Sequence, residues 1–193
     1  MRASYEQIAC LVGLVKEVPG DFAELGVWRG DTFVPLAEAA VAGGRRCHAV
    51  DSFRGMGEPT AEDHDDQGRC AYAAGQFDVG GGAAFRELVA RFGGAVRVWE
   101  GPVPAILEAI GDIVLAFSHL DLDHYEPTRR ALDWAWARTA PGGIVCCHDW
   151  MYGRNCLAPA AIREWMQASG VDFAGELPSG HRWFLKEDIH EHP

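Results

Sequence analysis

Short apolar segments alternate with longer segments of helical periodicity along almost the whole chain, and this alternation restricts the fold more than any other feature. The apolar segments have the length of buried strands and lie at 22–25, 47–50, 96–99, 114–120 and 144–147, with two later candidates at 172–174 and 182–185. The helical segments are 4–17, 32–42, 84–92, 104–109, 128–139 and 159–168. This order predicts an α/β fold, in which a mostly parallel sheet carries helices on both faces.

The chain is predicted to form one domain over residues 1–193. Its length suits a single domain of ordinary size, and neither a Pro/Gly/Ser-rich linker nor an internal repeat divides it. The alternation is interrupted by segment 54–82, which holds an acidic cluster and three consecutive glycines. Loops of this length in a compact domain are usually functional. We predict a lid or an acceptor loop here, with a disordered excursion as the alternative.

Charge and composition exclude several partners. Seventeen basic against 28 acidic side chains give a formal net charge of −11, which disfavours nucleic acid and anionic membranes. The six cysteines show no CxxC spacing, and no export signal or membrane-spanning apolar segment is recognisable. We therefore expect a cytoplasmic protein with reduced thiols that binds a small molecule. A homo-oligomer is left open.

The first predicted strand leads into a glycine-containing turn, FAELGVWRGDTF, at residues 22–33. Gly26 and Gly30 have no side chain to block a ligand from the backbone, and the helix that follows offers amide donors at its N-terminus. The spacing differs from the GxGxxG pattern of a pyrophosphate-binding turn, so the ligand need not contain phosphate. A plain structural turn explains this pattern equally well when it is taken alone.

Carboxylates also follow the second and third strands. Asp51 lies 25 residues after Gly26, at a position where an acid commonly binds both hydroxyls of a ribose. An ordinary turn aspartate is the alternative, but its combination with the glycine turn favours a cofactor that contains a nucleoside. Glu100 and Gly101 are candidates to flank an adenine, or are structural residues before a Gly-Pro turn.

Asp and His residues follow the fourth and fifth strands, in AFSHLDLDHYEPT (116–128) and GGIVCCHDW (142–150). The carboxyl ends of these strands converge, and buried acids need partners. One polar site is therefore predicted from Asp121, Asp123, His148 and Asp149. Carboxylates favour Mg²⁺ or Mn²⁺, and a His ligand moves the preference toward Mn²⁺ or another transition ion. A network that only caps the strand ends is the alternative.

The motifs ELGVWRGDT, VDSFRGM, HLDLDHYEPT and PGGIVCCHDW, in this order and spacing, resemble the macrocin O-methyltransferase family. Members of that family methylate sugar hydroxyls of antibiotics with S-adenosylmethionine. The resemblance implies a Rossmann-like methyltransferase fold with seven strands, the last one antiparallel. It also implies that Glu24, Gly26 and the turn through Trp28 line the methionine part of the cofactor, and that Asp51 with Ser52 binds the ribose.

The resemblance further implies Mg²⁺ held by an Asp after the fourth strand and two Asp after the fifth. Asp121 and Asp149 match this pattern, whereas His148 stands where the first Asp of the pair is expected. A cation on these residues would orient the acceptor while a neighbouring base takes its proton. We favour His124 as the base, with His148 as ligand or base, and interpret His119 as a packed core histidine.

Three functions follow from the sequence. The leading one is an S-adenosylmethionine-dependent O-methyltransferase that acts on a hydroxyl of a small metabolite, such as a sugar or natural product. The second is an enzyme like the cephalosporin hydroxylases, because that family pairs similar motifs with different chemistry. The third is a non-catalytic cofactor-binding module whose metal site has been lost, with His148 as the trace of that loss.

Overall fold

A computed structural model describes residues 2–150 and 156–187, and it confirms the α/β architecture. Seven strands form one sheet in the order β3-β2-β1-β4-β5-β7-β6. Strands β1 to β5 are parallel to their neighbours among themselves, whereas β7 is antiparallel to both β5 and β6. The strands are Asp21–Leu25 (β1), Cys47–Asp51 (β2), Val96–Glu100 (β3), Leu115–Leu120 (β4), Thr139–Cys147 (β5), Gly175–Glu176 (β6) and Arg182–Leu185 (β7).

Helices pack on both faces of the sheet. The α-helices are Arg2–Leu14 (α1), Phe33–Ala42 (α2), Ala83–Val89 (α3), Tyr125–Arg138 (α4) and Leu157–Ser169 (α5). Short 3-10 helices lie at Ala61–Asp63, Ala90–Ala95 and Ala105–Ala109. None of the helices in the described parts of the chain is both long enough and apolar enough to cross a bilayer.

The side chains of each central strand alternate between two apolar clusters. In β1, Phe22 joins the cluster beneath α1, α2 and α3, whereas Ala23 and Leu25 join the cluster beneath α4 and α5. This follows from the two-residue period of a strand. Every residue of β4 is buried, because helices cover that strand on both sides. The central strands are therefore largely apolar, with a few buried polar residues such as Glu24 and His119, and polar residues follow their carboxyl ends.

The strand predicted at 172–174 is wrong, since β6 is Gly175–Glu176. The apolar signal came from Phe173, whose ring stacks on Phe184 at a centroid distance of 4.9 Å. Gly175 itself lies against the Trp183 indole, where an added Cβ would be 2.7 Å from Nε1. This edge strand therefore begins with a residue that has no strand preference of its own.

Several further boundaries differ from the sequence prediction, and the helices predicted at 4–17 and 84–92 end at Leu14 and Val89. β5 begins at Thr139 rather than at residue 144, with a register shift in its pairing to β4. α4 begins at Tyr125, three residues before the predicted start at 128. The helix predicted at 104–109 is a short 3-10 turn.

Segment 54–82 is closed at its base by main-chain contacts. Arg54 and Asp78 form an antiparallel bridge, and the amide of Met56 donates to the carbonyl of Gln76 at 2.8 Å. Within the loop, the buried carboxylate of Asp63 accepts the amide of Tyr125 at 2.7 Å, which joins the loop to the start of α4. The loop is thereby fixed beside the carboxyl edge of the sheet.

Candidate active site

A cavity of about 300 Å³ opens at the carboxyl edge of β1, β2 and β4. Gly26, Trp28, Asp51, Ser52 and Asp121 line it together. Its other walls come from segment 54–82, from residues 102–104 after β3, and from the residues around the start of α4. The structure thus brings candidate residues from three strand ends into one hollow.

Asp51 holds the turn after β1. Its Oδ2 accepts the amides of Val27 and Trp28 at 2.7 and 2.8 Å, and its Oδ1 accepts the amide of Phe53 at 2.6 Å. A carboxylate oxygen accepts about two hydrogen bonds, so Oδ2 is filled and Oδ1 retains one acceptor position. The sequence suggested that Asp51 binds a ribose, but it did not reveal the hydrogen bonds from main-chain amides to Asp51.

Gly26 is the point at which the turns after β1 and β4 touch. Its φ is +85°, and an added Cβ would lie 1.7 Å from the carbonyl oxygen of Asp121. Only glycine fits so close a main-chain approach. The close approach to Asp121 is therefore a second reason for glycine at this position, beside the space for a ligand that was predicted from the sequence.

Gly30, by contrast, lies outside the cavity lining. Its φ is +87°, and a Cβ there would lie 2.9 Å from the ring of Phe85. The residue lets the turn after β1 pack against α3.

Glu24 is also away from the cavity. It is buried in β1, and its Oε1 accepts a hydrogen bond from Nδ1 of His119 at 2.8 Å. Burial raises the pKa of Glu24, an effect that the His119 hydrogen bond opposes. His119 is fully buried, as expected for a packed core histidine.

Glu100 and Gly101 support the neighbouring chain rather than line the hollow. Glu100 accepts the amide of Gly82 at 3.0 Å and pairs with Arg86 at 3.2 Å, which holds the start of α3. The Gly82 hydrogen bond lowers the pKa of Glu100. The amide of Gly101 donates to the carbonyl of Asp51 at 2.9 Å.

Asp121, His148 and Asp149 meet beside the cavity, although only Asp121 lines it. Nδ1 of His148 lies 3.0 Å from Oδ1 of Asp121 and 3.0 Å from Oδ1 of Asp149. Oδ2 of the buried Asp149 accepts the amides of Leu122 and Asp123, each at 2.9 Å. Asp149 thus holds the turn after β4 in the way that Asp51 holds the turn after β1.

The three side chains shift one another's pKa values. Hydrogen bonds to Asp121 and then to Asp149 raise the pKa of His148 to about 11. Burial is the largest single influence on the pKa of Asp121 and raises it, but the hydrogen bond and charge of His148, together with smaller contributions from His119 and Asp149, lower the pKa overall. Burial and the charge of Asp121 raise the pKa of Asp149.

The same cluster was tested for the magnesium site that the resemblance implies. Its three candidate ligand atoms lie within 4.8 Å of one another. One of them is a nitrogen, whereas Mg²⁺ takes oxygen ligands. The imidazole also hydrogen-bonds both carboxylates, and a cation would have to break both contacts. The residues present therefore do not fit the implied Mg²⁺ site.

His124 lines the cavity as the N-terminal cap residue of α4. Its side chain is buried, and Nε2 has no hydrogen-bond partner in the described structure. Burial lowers its pKa, which favours the neutral form of the ring. A neutral imidazole nitrogen without a hydrogen-bond partner is able to accept a proton from a donor that reaches it.

Asp123 lies next to His124 in the same wall. Burial, followed by the charges of Asp149 and Asp121, raises its pKa to about 8. The sequence placed Asp123 in the polar cluster but gave it no role in accepting a proton.

Sequence reasoning missed Phe77, which lines the cavity, and Tyr72 behind it; together they complete an arc of rings between Trp28 and His124. Trp28 lies 5.7 Å from Phe77, Phe77 lies 6.0 Å from Tyr72, and Tyr72 lies 6.2 Å from His124, between ring centroids. Phe77 and Tyr72 belong to segment 54–82, and the only signal for them was the length of that loop.

The chain is similar in sequence to a known protein family and to a curated relative. Residues 5–174 match the family described as Macrocin-O-methyltransferase (TylF). A curated relative from Streptomyces olivaceus, 8-demethyl-8-(2,3-dimethoxy-alpha-L-rhamnosyl)-tetracenomycin-C 4'-O-methyltransferase, is 34% identical over 145 residues, which are 71% of this chain and 55% of the relative. The chain therefore spans about half the length of that relative.

Solved structures share the fold at lower sequence identity. Calicheamicin methyltransferase CalS11 superposes with a TM-score of 0.75 at 23% identity, over 96% of this chain and 79% of the other. The O-methyltransferase TomG from Streptomyces achromogenes, solved with S-adenosylmethionine, gives a TM-score of 0.59 at 15% identity, over 95% and 80% of the two chains.

Proposed function

The chain belongs to the macrocin-O-methyltransferase family, and on that premise we propose that it is an S-adenosylmethionine-dependent O-methyltransferase acting on a hydroxyl of a sugar or natural product. The observation that carries the proposal is the single cavity that Gly26, Asp51 and Asp121 line together. The name of the Streptomyces olivaceus relative, which describes methylation of a sugar-bearing antibiotic, supports this class of acceptor.

The cofactor would lie along the ends of β1 and β2. Oδ1 of Asp51 has one free acceptor position for a ribose hydroxyl, and Ser52 lies in the same wall. Gly26 and Trp28 would face the methionine part, and the apolar residues 102–104 the adenine. Bound there, S-adenosylmethionine supplies an activated methyl group. In this placement Glu24, Gly30, Glu100 and Gly101 lie outside the cavity lining and do not contact the cofactor.

The protein's own part is to position the acceptor oxygen and to take its proton. Alignment of two reactants in a cavity supplies much of the rate of such a displacement. His124 is the proposed base, because its neutral ring lines the cavity and Nε2 is without a partner among the described residues. His148 is less suited to this role, since it lies outside the lining and its Nδ1 already bonds two carboxylates.

The aromatic arc is the proposed acceptor wall. Trp28 and Phe77 line the cavity, and flat rings of this kind bind the apolar face of a sugar or an aromatic ring. Segment 54–82 would then act as the acceptor loop predicted from the sequence. No step is assigned to a metal ion, because the cluster at Asp121 does not fit Mg²⁺.

Binding of S-adenosylhomocysteine tests the proposal directly. We expect millimolar S-adenosylhomocysteine to raise the melting temperature, because a ligand that binds only the folded state stabilises it by mass action. Asp51→Ala should show a clearly smaller shift, whereas Asp112→Ala, at an exposed position away from the cavity, should keep the full shift. A wild-type protein that shows no shift would contradict the proposal.

Turnover separates the proposal from its alternatives. A methyltransferase adds CH₂ to the mass of the acceptor, whereas a cephalosporin hydroxylase-like enzyme adds one oxygen atom. The family match favours the first outcome. A protein that binds the cofactor tightly but methylates no member of a panel of glycosides and phenols would instead be a non-catalytic binding module.

A further inference from the structure

The His148 ring occupies the space between two carboxylates at the ends of neighbouring strands. Asp121 follows β4, Asp149 follows β5, and one nitrogen of His148 lies 3.0 Å from an oxygen of each. Two carboxylates held this close repel each other unless a positive group lies between them. The ring therefore stands where a cation shared by the two acids would stand.

Both carboxylates have fixed orientations. Oδ2 of Asp149 accepts two consecutive amides, from Leu122 and Asp123, so its Oδ1 remains directed at His148. The main-chain amide of His148 donates to the carbonyl of Leu120 at 2.9 Å, which ties the residue to the end of β4. The bridge is thus built on rigid strand ends and not on a mobile loop.

Two further histidines hold the ring of His148 from the other side. His181, which is buried, meets it edge to face with a centroid distance of 4.6 Å, and His119 lies 6.3 Å away. His119 in turn bonds the buried Glu24. His148 is therefore packed in position, although 40% of its side chain remains exposed to solvent.

We propose that the side chain of His148 takes the place of a divalent metal ion, so that Asp121 and Asp149 are bridged by protein alone. In this arrangement His148 is a positioning residue. It fixes Oδ1 of Asp121 at the wall of the cavity without itself entering the cavity. The consequence for catalysis depends on the proposed methyltransferase function, but the bridge itself does not.

Metal binding measures the bridge without any assay of activity. Titration with Mn²⁺, followed by electron paramagnetic resonance of the free ion, should show no specific binding to the wild-type chain. His148→Asp should bind one Mn²⁺ at least about tenfold more tightly than the weak, non-specific binding of wild type, since it introduces a third carboxylate. Asp121→Asn added to His148→Asp should abolish this gain, which locates the ion.

Melting temperatures supply the second readout. Mn²⁺ should raise the melting temperature of His148→Asp and leave those of wild type and His148→Ala unchanged. If His148→Asp does not fold, His148→Glu offers the same extra carboxylate. A merely structural role for His148 would not produce rescue by a metal ion that depends on the introduced acid.

Two results would overturn the inference. If wild type binds Mn²⁺ and His148→Ala weakens that binding, then His148 is a metal ligand. If neither acidic variant gains Mn²⁺ binding, the two carboxylates are not a metal site that the ring has replaced. If wild type does not bind S-adenosylhomocysteine, the proposed function is wrong, but the result on metal binding is unaffected.

Discussion

The two halves of the sheet's carboxyl edge use the same device with different partners. On one side Asp51, at the end of β2, accepts two consecutive amides from the turn after β1. On the other side Asp149, after β5, accepts two consecutive amides from the turn after β4. The remaining oxygen of Asp51 meets a main-chain amide, whereas that of Asp149 meets the His148 ring.

This difference means that the surroundings of Asp51 are fixed in charge, whereas those of Asp149 are not. Amides cannot change their charge, so the Asp51 side keeps a constant geometry and leaves one acceptor position for a ligand. Asp149 is buried and contacts the ionisable ring of His148, so the contribution of Asp149 to folding stability depends on the charge of that ring. Mutations on the two sides should consequently affect ligand binding and folding in different proportions.

Gly26→Ala should have the largest effect, because this residue joins the two halves. The new Cβ would lie 1.7 Å from the Asp121 carbonyl oxygen, at a φ of +85°. We expect the free energy of unfolding to fall by about 3 kcal/mol or more, as measured by urea denaturation. Gly13→Ala, where a Cβ meets nothing within 4 Å, is the matched control and should be neutral or stabilising. Equal stability of the two variants would show that the turns do not touch.

Asp149→Ala should have the next largest effect. It leaves the amides of Leu122 and Asp123 without their acceptor in a buried site, and it removes one partner of His148. We expect a loss of about 2–4 kcal/mol in the free energy of unfolding. Asp149→Asn keeps an oxygen for the amides and should lose clearly less. An equal loss in both variants would mean that charge, and not the amide contacts, sets the stability.

Asp51→Ala should affect ligand binding more than folding. Asp51 is only partly buried, so we expect about 1–2 kcal/mol of lost stability. The affinity for S-adenosylhomocysteine, measured by calorimetry, should fall about tenfold or more, because the turn and the free acceptor position are lost together. Unchanged affinity would place the ligand elsewhere on the edge.

Arg86→Ala should have the smallest effect. The pair of Arg86 with Glu100 is exposed, at 49% and 35% of the two side chains, and such pairs contribute about 0.5 kcal/mol or less. The small loss should vanish at high salt. Glu100→Ala should cost more, since Gly82 also loses the acceptor of its amide.

The central sheet was predictable because its strands are short, mostly apolar segments that are separated by helical segments. Segments 22–25, 47–50 and 96–99 each lie within an observed strand, and the seven-strand topology follows the resemblance. β6 was not predictable from the sequence. Phe173, the apolar residue that suggested a strand, packs on Phe184 just before β6, and Gly175 is required at the start of β6 because the Trp183 indole lies against it.

The sequence was sufficient to predict which residues lie near the site, but not which of their atoms are in contact. Strand ends converge in any parallel sheet, so Asp51 and Asp121 could be placed near each other from the sequence. Which atoms meet depends on side-chain rotamers and on main-chain approaches of a few ångströms. The bridge at His148 and the contact of Gly26 with Asp121 therefore became visible only in three dimensions.

The closed base of segment 54–82 has an evolutionary consequence. Arg54 pairs with Asp78, and Met56 with Gln76, so the segment between β2 and α3 begins and ends at almost one point. A segment anchored in this way can be exchanged for another of different sequence while its anchor is preserved. Under the proposed function, side chains at its inner surface such as Phe77 can be replaced to suit another acceptor without any change in the residues proposed to bind the cofactor.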